Sequence, residues 1–188
     1  MSNNSIIISG AGVGVSKNGA MALGGTFDPA WTASGVSYSA DLLTASIGGS
    51  KTTGSTQHIT AGKTYFEMTV TDWPTRYGPI IGIAPAATAV DGYTTPGAVA
   101  IWLVDGGSVN LYDSGGQVGA FPNVNFGLND TVGFMVDLDG DVIAIYKNGV
   151  PTGITHPITG SDYLAFASSA GGAYPVTVTA NFGAKSFL

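Results

Sequence analysis

DTVGFMVDLDGDVIAIYKNG, residues 130–149, reads as two strands folded back on each other. Val132, Phe134, Val136 and Leu138 fall on one face of the first limb and Gly133, Met135, Asp137 and Asp139 on the other, the period-2 pattern of a half-buried strand. A helix would scatter those apolar groups around its circumference. Asp139-Gly140-Asp141 supplies residues that tolerate positive φ at a hairpin turn. Val142, Ile143, Ile145 and Tyr146 then resume in β-branched and aromatic types until Asn148-Gly149 makes a second turn.

Further blocks of the same kind lie outward from this hairpin. Gly62-Lys63-Thr64-Tyr65-Phe66-Glu67-Met68-Thr69-Val70 opens a long strand, Ile80-Ile81-Gly82-Ile83-Ala84 a second, and Val178 to Phe187, containing Asn181-Phe182-Gly183, a third. Phe27-Asp28-Pro29 and Tyr38 to Thr44 precede them. In this order the blocks resemble the signature of SPRY (B30.2-like) domains, and the likeness covers about Gly24 to Leu188. The resemblance implies an all-β fold: a bent antiparallel β-sandwich, a concanavalin-like jelly roll, whose loops bind a partner and which carries no chemistry of its own. The expected organisation is a Gly/Ser-rich N-terminal arm over 1–23 followed by one SPRY-like domain over 24–188.

Composition sets the same bounds. A chain of 188 residues, 44% hydrophobic, suits one sandwich core, and with no cysteine it has neither disulfides nor a thiolate site. Charge is sparse and lopsided, twelve acidic residues against six basic, for a net charge of −6. Such a surface repels a phosphate backbone, so nucleic acid is excluded as a partner. Glu67 is the lone glutamate, and with 29 glycines the chain is short of exposed helix formers. The apolar run Ile6 to Ile8 is far below the ~20 residues of a membrane span and no basic segment precedes it, so neither an export signal nor membrane insertion is expected.

The arm, rich in Gly, Ser, Asn and Ala, holds one short strand candidate at Ser5 to Ser9. A strand that short cannot bury itself alone, which makes docking into a neighbouring subunit, and hence a homo-oligomer, an expectation. Gly10-Ala11-Gly12-Val13-Gly14 lacks the third glycine position, the helix and the acidic partner of a dinucleotide site. No cofactor is implied.

Two loops carry the residue types that dominate binding hot spots. One is Trp73-Pro74-Thr75-Arg76-Tyr77-Gly78-Pro79, with the only arginine. The other runs from Ala86 to Pro96 and contains Asp91, Gly92 and Tyr93. Trp73, Arg76, Tyr77, Asp91 and Tyr93 are therefore the candidate ligand-binding residues, although Trp73 could instead cap the core with Arg76 solvated. Trp102, in the hairpin from Ala98 to Tyr112, is expected in the core. Gly48 to Gln57, Asp113 to Gly127 and Val150 to Asp162 read as loops, the second with Phe121, Val124 and Phe126 packing beneath it.

The catalytic and metal readings are thin. His58 and His156 accompany no nucleophile motif. Asp137, Asp139 and Asp141 share a strand end, but Gly140 and Asn148 stand where an EF-hand loop would not have them, and a solvated turn is the simpler reading. Glu67, on a central strand, is expected to be a partly buried carboxylate satisfied by hydroxyls or amides. The Gly/Ser/Thr-rich, Glu-poor make-up and the arm suggest a bacteriophage particle protein, of tail or capsid surface, that attaches to other virion subunits by its arm and recognises a host-surface glycan or protein. In a sugar-binding version Trp73, Tyr77 and Tyr93 would stack on pyranose faces. The alternative is an intracellular SPRY-type adaptor that grips a short peptide of a protein partner.

Overall fold

A computed structural model of the chain describes residues 7–8, 13–14, 16–31, 35–73, 77–87, 92–104, 108–170 and 175–188. The hairpin at its centre consists of β13 (Thr131–Asp137) and β14 (Val142–Lys147), paired antiparallel from Val132↔Lys147 to Asp137↔Val142. Val132, Phe134 and Val136 are fully buried on its inner face, and Leu138 packs at the edge of the same core. Positive φ falls on Asp141 in the first turn and on Asn148 and Gly149 in the second. The Asn-Gly pair thus supplies both left-handed residues that a two-residue hairpin needs.

The hairpin belongs to a nine-stranded sheet. It runs β15 (Val150–Pro157), β14, β13, β8 (Lys63–Asp72), β17 (Val176–Asn181), β6 (Thr44–Ile47), β5 (Val36–Tyr38), with the short β3 (Ser16–Lys17) and β4 (Ala20–Ala22) joined to it. The facing sheet has six strands: β12 (Gly116–Phe121), β11 (Val109–Asp113), β10 (Val99–Val104), β9 (Tyr77–Pro85), β16 (Tyr163–Ser169), β7 (Thr52–Ile59). A separate two-residue pair, β1 (Ile7–Ile8) with β2 (Val13–Gly14), completes the strands.

Pairing within both large sheets is antiparallel except where β4 meets β8. There β17 ends its register at Asn181↔Glu67, and β4 takes over the vacated side of β8 at Ala22↔Tyr65. Residues 16–23 are accordingly built into the sandwich, with Leu23 in its core.

The main core lies between the sheets, because alternate residues of β8 and β13 point at alternate residues of β9 and β10. Phe66 and Phe134 are direct cross-strand partners with rings stacked 5.1 Å apart, and each buried ring contributes about 1.5–3 kcal/mol.

Three segments differ from the sequence reading. Thr52 to Gln57, Gly116 to Phe121 and Val150 to Pro157 are strands. All three lie at sheet edges and are mostly polar or small in residue type, Thr53 and Ser55 even where they are buried, so no alternating hydrophobic pattern marks them. Trp102 also differs. It sits half-buried on the outer face of the six-stranded sheet, beside Ile80, Ala98, Ala100 and Phe166, because the alternation of β10 sends Val99, Ile101 and Leu103 inward. No helix among the described residues is long and apolar enough to cross a membrane.

Candidate functional site

A walled depression lies on the outer face of the six-stranded sheet. One rung crosses that face from Thr52 through Ser168, Ile80 and Trp102 to Asn110, each opposite the next on neighbouring strands. The Thr52 and Ser168 hydroxyls are 2.7 Å apart and hydrogen-bonded. Over this rung the chain turns through a single 3₁₀ turn, Gly92–Thr94. Gly92 has φ +61, and a Cβ there would meet Ser168 Oγ at 2.6 Å, so only glycine lets the turn lie this close to the sheet.

That seating fixes Tyr93. Its ring meets Tyr112 of β11 edge-on at 5.0 Å, and Tyr112 lies 6.0 Å from Trp102. Burial pushes the Tyr112 phenol up, helped by the neighbouring Tyr93, so Tyr112 remains a neutral hydrogen-bonding group. Between Tyr93 and the strands is a cavity of about 200 Å³ lined by Ser50, Thr52, Ile80, Tyr93, Ser168, Ser169 and Ala170. None of these side chains is charged. A floor of hydroxyls and one isoleucine beneath an aromatic wall suits one uncharged group with a flat apolar face and polar edges.

A wider groove of about 580 Å³ lies beside the central hairpin, lined in part by Asn123, Asn125, Lys147, Asn148 and Val150. Its lysine and Asn148 are already committed. Lys147 Nζ lies 2.8 Å from Asp130, donates to the Asn125 carbonyl and sits over the Phe126 ring at 5.4 Å. Asn148 donates to Asp130 at 2.7 Å and accepts from Thr131 N–H at 2.7 Å. This groove braces the turn, and the Tyr93 cavity is the better candidate despite its smaller volume.

The remaining titratable groups serve the fold. Glu67 is buried, and it accepts hydrogen bonds from Tyr65 Oη at 3.1 Å, Asn181 Nδ2 at 3.4 Å and Leu188 N at 3.1 Å. This is the satisfied carboxylate expected from its position. Asp137 is paired with Lys63 at 2.9 Å, and that lysine's hydrogen bond holds its carboxyl below the usual range. Among the described residues each imidazole's hydrogen-bond partner is an aspartate, His58 with Asp162 at 2.8 Å and His156 with Asp113 at 3.1 Å.

Of the five residues nominated from the sequence, Tyr93 lines the cavity. Trp73 packs against the main core, its indole lying on Gly78, where a Cβ would come within 2.5 Å of the ring. The two rings are therefore not brought together. Tyr77 opens β9 opposite Val104, whereas Arg76 and Asp91 lie outside the described residues. Sequence reasoning missed Thr52, Ile80, Ser168 and Ala170. For Thr52 and Ser168 the only sequence signal is a polar side chain in a strand, which does not tell an outer face from a loop, and Ile80 and Ala170 carry none.

No protein-family model matches the chain, and no curated protein matches it either. Solved structures do. The SPRY domain of human HERC1 superposes with a TM-score of 0.68 at 16% identity, over 82% of this chain and 96% of that one. The TRIM65 PSpry domain gives 0.63 at 15%, over 83% and 90%. Stonustoxin gives 0.60 at 16%, over 83% of this chain and 28% of that one. The two-sheet sandwich, its strand order and these superpositions define a SPRY fold, as the ordered sequence blocks imply.

Proposed function

We propose that this chain is a non-catalytic recognition module that binds a partner protein at the Tyr93 cavity. The observation that carries this reading is the cavity's lining: four hydroxyl residues, one aliphatic floor and one tyrosine, uncharged throughout, on the outer face of a rigid sheet. Such a lining takes a single uncharged side chain of the partner, with the row Tyr93, Tyr112 and Trp102 offering apolar contact beside it. The likeness in fold to SPRY domains supports a binding role over a catalytic one. The setting we favour is the surface of a bacteriophage particle, where the N-terminal segment attaches the module and the sandwich faces the host. Its support is compositional, a cysteine-free chain with 29 glycines and sparse charge.

A second reading is a host-surface glycan. Tyr93 above a hydroxyl floor would accept a pyranose ring as readily as a side chain. Peptide display and a glycan array on the isolated protein decide between the two, with Ala170→Trp, which fills the cavity, as the control. Peptide hits abolished by Ala170→Trp support the protein reading, and glycan hits so abolished support the second. Hits of either kind that Ala170→Trp leaves intact overturn both.

A further inference from the structure

Among the described residues the main strand paths of the two large sheets end in four edges, three of them blunted, while β3, off the path, is only two residues long. Along β7, Asp28 N–H donates to the Gly54 carbonyl and Thr56 N–H to the Thr26 carbonyl, each at 2.8 Å, so residues 26–28 cover that edge. β15 carries Pro151 and Pro157, neither able to donate, and its register with β14 is interrupted between Ala144 and Tyr146. β5 is three residues long.

The fourth edge, β12, is different. It is six residues, Gly116–Phe121, with no proline and no charge, and Gln117, Val118 and Ala120 are exposed on it. A register shift opposite Leu111 and Tyr112 leaves Val118 as a bulged residue, 52% exposed, so the one irregularity on this edge presents an apolar side chain rather than a guarding charge.

The same chain holds a short strand that belongs to neither large sheet. Among the described residues Ile7–Ile8 pairs with Val13–Gly14 alone, through two residue pairs, apart from both large sheets. A pair that short is not stable by itself in water. Residues 1–16 contain no charged side chain, although the chain as a whole carries −6, so this segment can approach a neutral edge without the repulsion that separates the rest of two copies. From Ser9 to the point where Ser16 enters the nine-stranded sheet are seven residues, enough to extend about 25 Å.

We propose that the segment from residue 5 to residue 9 of one copy, which contains β1, adds to the open edge of β12 in a second copy. Backbone hydrogen bonds to β12 supply the affinity, and Ile6 and Ile8, on one face of an added strand, meet the exposed Val118 and Ala120. The contact is head-to-tail, one copy's donor on the other's acceptor, so each copy retains a further donor or acceptor for extending a ring or filament.

Sedimentation velocity on the full chain over a concentration series tests this, with two double variants. Ile6→Lys with Ile8→Lys disables the donor, Val118→Lys with Ala120→Lys disables the acceptor, and thermal melting verifies that each keeps the fold. The unaltered chain is expected to associate as concentration rises, and each variant to weaken association at least tenfold. An equimolar mixture of the two variants is expected to stop at a 1:1 dimer, since one brings an intact edge and the other an intact strand. A chain that stays monomeric throughout, a donor variant that still associates, or a mixture that stays monomeric overturns the proposal.

Discussion

The backbone N–H of Leu188 donates to the carboxylate of Glu67, 121 residues away in sequence, at 3.1 Å. Tyr65 Oη donates to the same oxygen, and Phe187 meets the Tyr65 ring edge-on at 4.8 Å. Lys17 completes the clasp by donating to the Leu188 carbonyl and lying over the Tyr65 and Tyr146 rings. One buried carboxylate thus pins residues 183–188 to the outer face of the nine-stranded sheet, opposite the face that carries Tyr93.

Burial pushes the Glu67 carboxyl above its usual range, against the opposing pull of its hydrogen bonds and of Lys17. The folded state therefore holds that proton more tightly than the unfolded chain does. Glu67's contribution is fully present below the ordinary glutamate value of about 4.3 and is lost as pH rises through the raised folded value. Glu67→Gln stays neutral and escapes the loss, so its melting temperature should gain on that of the unaltered chain between pH 4 and pH 8. Parallel melting profiles would refute this. Glu67→Ala should destabilise by about 1–3 kcal/mol at every pH, since Leu188 N–H and the Asn181 amide lose their acceptor.

Gly133 has no positive φ, and its requirement is one of space. A Cβ there would collide with the Tyr65 hydroxyl and come within 2.8 Å of Cζ. Tyr65 is itself fully buried and bonded to Glu67, so it has nowhere to retreat. Gly133→Ala should cost about 1–3 kcal/mol by overpacking, whereas the double variant with Tyr65→Ala should recover part of that cost. Denaturant unfolding of the four members of the cycle gives the coupling.

Asp130 accepts from Gly127 N–H and Asn148 Nδ2, both at 2.7 Å, and from Lys147 at 2.8 Å. Burial alone would raise its carboxyl, but these donors together hold it below the usual range. Its stabilisation is present above the ordinary aspartate value of about 3.9 and is lost as pH falls through the lower folded value. Asp130→Ala, which strips three donors of their acceptor, should cost about 1–3 kcal/mol at neutral pH. Lys147→Met removes one partly exposed ion pair and should cost less than about 1 kcal/mol. Urea midpoints for the two variants test the order, and a larger loss from Lys147→Met would contradict it.

Much of the sandwich is legible from residue order because buried central strands must alternate. β8, β13 and β14 do so, and their turns carry the aspartates, asparagine and glycines that such turns demand. The edge strands are not legible, since Thr53 and Ser55 are buried but polar and Val150 to Pro157 buries too little to show a period. The cavity is partly legible. Tyr93 stands out as an aromatic in a loop, but Thr52, Ser168 and Ile80 come together only through the register of β7, β16 and β9, a relation between residues up to 116 apart in sequence. Trp73 and Trp102 show the same limit, because residue type does not say which face of a sheet a ring will occupy.

Titration calorimetry of the strongest peptide ligand from display against the unaltered chain and against Tyr93→Ala bears on the proposed recognition site most directly. Removing the aromatic wall of the cavity should weaken binding at least tenfold while melting temperature and circular dichroism hold. Equal affinity for the two proteins would place the partner elsewhere and contradict the assignment of this face as the one that recognises it.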